Sequence, residues 1–239
     1  MKLDILAFGA HPDDVEISCG ATLLKYTKEG KSIGVIDLTK GELGTRGSIE
    51  KRYEEANKAA VFLGLKIREN LNMGDGFISH SKENKLKIIE CIRKYQPELI
   101  LANSVHDRHP DHAKGANLVA EASFLSGLRK IETESDGLPQ EAYRPKMLLH
   151  YVQDYYLTPD VILDVSETGK EKIELIKCYR SQFYNPSSKE PQTPISGEEF
   201  FDYLEGRMLS LGRELGVKYG EAYTIDRTLG VKDLSLIHI

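Results

Sequence analysis

Apolar residues along the chain follow two alternating rhythms. Short runs at Leu3–Phe8, Ser32–Leu38 ("SIGVIDL"), Ile67–Leu71 and Glu98–Ala102 ("ELILA") have the length and composition of buried strands. Between them lie longer stretches with helical spacing. "CGATLLKYTKEG" ends at Gly30. In "SIEKRYEEANKAAVFLGL", Ser48 is placed to cap a helix and Tyr53, Ala56, Ala60 and Leu63 recur at helical intervals. "ENKLKIIECIRKY" groups Leu86, Ile88, Ile89 and Ile92 on one side, and "HPDHAKGANLVAEASFL" has Pro110 where a first turn accepts it. The second half is less regular. "MLLHYV" and "VILDV" read as strands, and helices are predicted over Glu167–Gln182 and Gly197–Leu215. Ser196 and Glu199 form a capping-box pattern at the start of the second helix. Residues 126–146 are polar and aperiodic and read as an excursion or lid-like loop. "YNPSSKEPQTP" reads as a proline-rich loop.

Repeated strand–helix units of about 30 residues predict a parallel sheet with helices on both faces. The fold class expected is α/β, a Rossmann-like three-layer sandwich with a mostly parallel sheet, as a single domain over residues 1–239. The G-x-G-x-x-G fingerprint is absent after the first strand, so the fold need not bind a dinucleotide. Composition narrows the partners. Hydrophobic residues make up 40% of the chain, enough for a sizeable core, and the net charge of −5 gives no reason to expect nucleic-acid binding. Cys19, Cys91 and Cys178 are far apart in apolar helical patterns and read as buried reduced thiols. No apolar run approaches the roughly 18 residues of a membrane span. "MKLDILAFG" is too short and too soon charged for a signal peptide, so a cytoplasmic protein is expected.

Two stretches carry the chemistry. "HPDD" at His11–Asp14 leaves the first strand, and "HDRHPDHAKG", with His106, His109 and His112 beside Asp107 and Asp111, leaves the fourth. Either alone is consistent with a turn or a capped helix start. In a doubly wound sheet, however, sites form outside the carboxyl ends of the strands where strand order reverses, a point that the first and fourth strands commonly flank. The topology would gather His11, Asp13, Asp14, His109, Asp111 and His112 in one crevice. Adjacent carboxylates repel, and burying them requires a positive partner. Two histidines and a carboxylate suit a catalytic metal with an open fourth position, and the second carboxylate lies close enough to take a proton from the water that such a metal activates. His80, His150 and His238 have no comparable context.

With these motifs in order, the chain resembles the PIG-L/LmbE-like family of zinc-dependent N-deacetylases. The resemblance extends over most of the chain. "GRMLSLGRELGVKYGEAY", "DRHPDH" and "GELGTRG" are similar to the branch that deacetylates N-acetylglucosaminyl-L-malate in bacillithiol biosynthesis. The resemblance implies that His11, Asp14 and His112 hold the metal and that Asp13 is the general base. It further implies that His109 stabilises the tetrahedral intermediate or donates a proton to the leaving amine, with Asp111 orienting and charge-stabilising it, and that Glu16 has a supporting role. It implies Zn2+ as cofactor, although His and carboxylate ligands also accommodate ferrous iron, and a homo-oligomer. Arg52 is a substrate-binding position on the same ground.

A malate conjugate carries two carboxylates, which arginine forks recognise. Arg46 in "GTRG", Arg52 and Arg108 are the candidates. Asp75 in "GDGF" reads as a turn aspartate with an option to meet sugar hydroxyls, and Gln182 and Tyr184 are further candidates to line the site. A different metallohydrolase, a deacetylase of another N-acetylglucosaminyl substrate and a metal-binding module without catalysis are the alternatives. Asp13 and His109 speak against the last, because a binding site needs no base.

Overall fold

The first half of the chain adopts the expected alternation in the computed structural model, which describes residues 1–230. β1 (Ile5–Gly9), α1 (Asp14–Lys28), β2 (Ile33–Asp37), α2 (Ile49–Leu63), β3 (Ile67–Asn70), α3 (Lys82–Tyr95), β4 (Leu99–Ala102) and α4 (Pro110–Leu125) follow one another. A minimal hairpin, β5 (Glu134–Ser135) and β6 (Leu138–Pro139), interrupts the pattern. β7 (Met147–Tyr151), β8 (Val161–Asp164), α5 (Gly169–Ile176), α6 (Glu199–Leu215) and β9 (Gly220–Thr224) complete it. His238 and the closing "SLIHI" lie outside the described residues.

The main sheet has the order β3-β2-β1-β4-β7-β9-β8. β1 pairs in parallel with β2 and β4, and β9 runs antiparallel to both of its neighbours. The chain winds outward from β1 through β2 to β3, then crosses back to place β4 on the other side of β1. The switch point therefore lies between β1 and β4. Side chains alternate across β1: Ile5 and Ala7 pack with Leu23, Ala59, Leu175 and Leu204, while Leu6 and Phe8 pack with Ile88, Ile92, Leu118 and Ala122. These two apolar layers make the three-layer sandwich. Among the described residues no helix is long and apolar enough to cross a membrane.

Several local expectations are corrected. The inward face of α2 is Arg52, Glu55, Ala56, Ala59 and Leu63, and Tyr53 is exposed. Periodicity failed there because two charged residues face inward to partners from distant segments. α5 stops at Ile176, and successive turns carry the chain on to Phe183. They bury Tyr179 and Gln182, whose polar tips bond to Glu16 and to the Arg46 carbonyl. Ser196 caps nothing. Its hydroxyl accepts from the Thr193 N–H and donates to Gln192 within the preceding turn. Residues 126–146 form no lid. The Arg93 guanidinium donates to the carbonyls of Ser126, Leu128 and Ile131, and Tyr143 donates to the Pro97 carbonyl, docking the segment beside α3 at the amino ends of the strands. β9 was not predicted.

β9 supplies an internal anchor for α1. At Cys19 the helix is interrupted by non-helical dihedrals (φ −127°, ψ 19°). Glu221, on β9, accepts from the Ala21 and Thr22 N–H groups at 3.2 and 2.7 Å and from the Thr22 hydroxyl. Lys172, on α5, donates to Glu221 at 2.6 Å and to the Ser18 carbonyl at 3.3 Å. This buried pair satisfies groups on both sides of the interruption, acting as a cap inside the helix. Replacing Glu221 by alanine strands a buried ammonium. We expect Glu221→Ala to destabilise the fold by about 3–5 kcal/mol in urea denaturation, and a Lys172→Met/Glu221→Ala double variant to lose less than the sum of the singles. Additive losses would show that the pair is uncoupled.

Candidate metal and active site

β1 ends at Gly9, where an added Cβ would meet the His11 carbonyl at 3.1 Å and the Asp14 Cβ at 3.3 Å, so a larger residue would crowd the turn into the motif. The Ala10 N–H donates to Asn103 Oδ1 at 2.8 Å, clamping the end of β1 to the residue that follows β4. Asp13 then adopts a positive φ of 117° with ψ −24° and precedes α1 without capping it through its side chain. Such a conformation costs a non-glycine residue about 1–3 kcal/mol. Its carboxylate instead faces Arg52 of α2, whose Nη2 lies 3.0 Å from Asp13 Oδ2 and also donates to the Pro12 carbonyl.

Asp14 opens α1 and turns the other way. Its carboxylate accepts from the His11 N–H at 2.9 Å, Asn103 Nδ2 at 3.0 Å and Gln153 Nε2 at 2.7 Å. Two imidazoles approach the same group: His11 Nδ1 at 3.5 Å and His112 Nε2, from the first turn of α4, at 3.2 Å. The outer nitrogen of each ring has its own carboxylate. His11 Nε2 is 2.9 Å from Asp75, and His112 Nδ1 bonds to Asp107. His109 precedes α4, its ring centroid 4.5 Å from that of His11 and 5.2 Å from that of His112. The structure thus brings His11, Asp13, Asp14, His109 and His112 into one crevice at the switch point, with Asp111 fully buried behind His11.

The electrostatics separate the two adjacent aspartates. Burial, reinforced by the Asp14 charge and opposed by Arg52, pushes Asp13 up to about 7. Burial acts on Asp14 too, but the charges and hydrogen bonds of His112 and His11 outweigh it and hold its carboxyl well below the usual range. Burial disfavours charge on His112, yet Asp14 and Asp107 raise it to about 9. His109 goes the other way: burial, then the His11 and His112 rings, lower it below the ordinary histidine value. The Asp111 charge favours protonation of His109, as expected, but burial and the two rings outweigh it. The Asp111 carboxylate accepts from the Gly76 N–H at 2.6 Å and lies 3.7 Å from His11 Nε2. Its hydrogen bond to His109 comes from the backbone N–H, 3.2 Å from Nδ1.

The cleft above these groups encloses about 300 Å³. The arginine expectations divide here. Arg52 and Arg108 line the cleft, Arg108 tied to Asp154 at 2.7 Å. Arg46 does not line it; it is buried, donates to Ser188 at 2.6 Å and lies 3.6 Å from Glu190. Gln182 lines the cleft and accepts from Arg52, whereas Tyr184 is absent from its walls. Glu16 is fully buried and bonds to Arg68 and Tyr179, a supporting position. Asn103, Asp107, Asp75 and Gln153 were missed or underrated. Each lies just beyond a strand end, and that position was the available signal. His150, also passed over, donates from Nδ1 to the Asn103 carbonyl at 2.9 Å, behind the site.

The donor set fits a divalent cation. Donor atoms of His11, His109 and His112 lie within 4.8 Å of one another, as do those of His11, Asp75 and Asp111. Asp14 lies 3.5 Å from His11 Nδ1 and 3.2 Å from His112 Nε2, and the other nitrogen of each ring faces a carboxylate, the arrangement common to metal-bound imidazoles.

Comparison with known proteins agrees with this geometry. The family model "PIG-L: GlcNAc-PI de-N-acetylase" matches residues 6–123. The diacetylchitobiose deacetylase of Thermococcus kodakarensis is 30% identical over 232 residues, covering 91% of this chain and 80% of that protein. The chain belongs to the PIG-L family. The stretch matched by the PIG-L model contains both histidine–aspartate motifs. The conserved protein TT1542 from Thermus thermophilus has a similar structure, with a TM-score of 0.84 at 32% identity over 96% of this chain and 98% of that one. A 4-oxalmesaconate hydratase of Pseudomonas putida is 25% identical over 193 residues, 74% of this chain and 73% of the hydratase. The relatives of this PIG-L member thus bear the names of more than one reaction.

Two predictions come from the site. His112→Ala should abolish stoichiometric metal binding, whereas Asp107→Ala, which leaves every proposed ligand in place, should weaken it by roughly 10- to 100-fold. Competition with a chromogenic chelator measures both, and unchanged affinity in Asp107→Ala would show that the outer carboxylate does not tune the ring. Separately, Asp13→Gly should be more stable than Asp13→Ala by about 1 kcal/mol, because both lose the carboxylate and only glycine accepts the positive φ. Equal thermal midpoints would show that the backbone there is unstrained.

Proposed function

We propose that this protein is a metal-dependent N-deacetylase of an N-acetylglucosaminyl conjugate, with N-acetylglucosaminyl-L-malate of bacillithiol biosynthesis as substrate and acetate and glucosaminyl-malate as products. The observation that carries the reading is the placement of Asp13: buried beside the His11, Asp14 and His112 cluster, paired with Arg52, and on the wall of the cleft that His109 also lines. A site that only bound metal would gain nothing from a second, differently poised carboxylate.

In this reading His11, Asp14 and His112 hold zinc or ferrous iron, which when bound polarises the acetyl carbonyl and acidifies a water. Asp13 accepts the proton of the attacking water. His109 is held by the Asp111 N–H on Nδ1, so the neutral ring carries its proton on Nε2 and offers it to the developing oxyanion. The proton taken by Asp13 is then delivered to the sugar nitrogen as the C–N bond breaks, leaving acetate and a free amine. Arg52 keeps the Asp13 carboxylate in place, and Arg108, paired with Asp154, lines the cleft wall. The same proposal takes the enzyme to be a cytoplasmic homo-oligomer of one domain, as the family resemblance implies. A reaction other than deacetylation is favoured by the hydratase relative.

Acetate release from a metal-loaded sample tests the reading. The malate conjugate should show the highest kcat/KM in a panel with N,N'-diacetylchitobiose and an N-acetylglucosaminyl inositol. Acetate from the other sugars but not from the malate conjugate would remove the branch assignment, and no acetate from any would remove the deacetylase. Asp13→Asn should retain the metal and lose roughly 10²- to 10⁴-fold in kcat; near-normal turnover would remove the base assignment.

A further inference from the structure

The cleft has two unlike walls. The strand-end motifs form the polar one. Across from them, Pro194, Ile195, Phe200, Tyr203 and Leu204 present carbon surface from the segment before α6 and from α6 itself, and Arg207 lines the cleft one helical turn beyond Tyr203. Of the arginines on the walls, Arg52 is neutralised by Asp13 and Arg108 by Asp154. Arg207 is half-buried and, among the described residues, has neither an ion pair nor a hydrogen bond.

The sequence of α6 accounts for this. Residues three and four positions from Arg207 are Tyr203, Leu204, Ser210 and Leu211, so no helical neighbour offers a carboxylate. The guanidinium carbon lies 5.5 Å from the Tyr203 ring centre. That ring is itself fixed, because its hydroxyl donates to the Asp154 carbonyl at 2.8 Å. The charge of Arg207 also reaches the buried Lys172, where it acts against protonation while Glu221 favours it. A half-buried guanidinium with no anion of its own has nothing to offset its partial desolvation. An anion entering the cleft would compensate it.

We propose that Arg207 recognises an anionic substituent, a carboxylate or a phosphate, on the aglycone of the substrate, and is the residue that selects charged N-acetylglucosaminyl conjugates over neutral ones. The proposal deepens the deacetylase reading and rests on it for the sugar, but not for the anion. Arg52 and Arg108 would need to leave existing carboxylates to bind the substrate. Arg207 gives up none.

The test compares metal-loaded wild type, Arg207→Met, which keeps the aliphatic stem, and Arg207→Lys, which keeps the charge without the fork. Each is assayed with N-acetylglucosaminyl-L-malate, N-acetylglucosamine 1-phosphate and neutral N,N'-diacetylchitobiose. In Arg207→Met the ratio of kcat/KM for the anionic conjugates to that for the neutral sugar should fall by roughly 10- to 100-fold, through KM, with Arg207→Lys between the two. A larger loss on the malate conjugate identifies a carboxylate site, and a larger loss on the phosphate identifies a phosphate site. An unchanged ratio overturns the proposal. Calorimetric titration with glucosaminyl-malate, which keeps the anion and lacks the acetyl group, decides independently of turnover: weaker binding to Arg207→Met supports the proposal and equal binding overturns it. If the wild type released acetate from no substrate, the deacetylase reading would fail while the titration still decided the role of Arg207.

Discussion

The carboxylate of Asp14 is the point at which the strand ends are tied together. It accepts from the backbone that follows β1, from Asn103 after β4 and from Gln153 after β7, and it faces His112 in α4. These donors come from segments far apart in sequence that are neighbours only because the sheet places β1, β4 and β7 side by side. A buried carboxylate without such partners would be unfavourable by several kcal/mol. With them it stays ionised, and the crevice acquires a fixed negative group before any cation arrives. The same hydrogen bonds hold the site's geometry, so the shape of the cleft and its charge have one origin.

Buried charge is distributed along α1 in matched sets. Asp13 meets Arg52 at the first turn. Glu16 meets Arg68, which also binds Asp37 through two parallel bonds of 2.8 Å. Further along, Lys172 and Glu221 serve the interruption at Cys19. Each set ties α1 to a different element, namely α2, the β2–β3 edge, then α5 and β9. A helix held at three levels can tolerate both an interior break and a strained residue ahead of its first turn, since neither can relax without breaking a buried pair. Rigidity at the site is thus supplied from below, by polar contacts within the core.

This distribution also explains what could be read from the sequence. The parallel order around β1 and β4 followed from strand–helix alternation, and the two motifs came together because each leaves a strand at the switch point. Periodicity assumes that charged residues face water. It therefore misplaced the inner face of α2, where Arg52 and Glu55 point inward, and overran α5, where Tyr179 and Gln182 turn into the core. Arg46, Arg52 and Arg108 looked equivalent as side chains near a predicted crevice. Their carboxylate partners distinguish them, and partners from distant segments leave no local signature. Asp75 lies between glycines with φ of 87° and 77°, so its turn chemistry was legible and its bond to His11 was not.

The adjacent aspartates show how backbone conformation can divide chemistry between neighbours. In an ordinary approach to a helix, Asp13 would spend its carboxylate on the free N–H groups of the first turn. The φ of 117° removes it from that role and presents it to Arg52. Asp14, one residue later and already helical, faces the histidines. One carboxyl is raised by burial to about 7 while the other is held well below the usual range, which suits the proton acceptor and the cation ligand proposed for them. Two carboxylates in equivalent conformations would compete for the same donors and repel at the same point. The strained peptide separates them, so the positive φ at Asp13 belongs to the chemistry of the site as much as the side chains do.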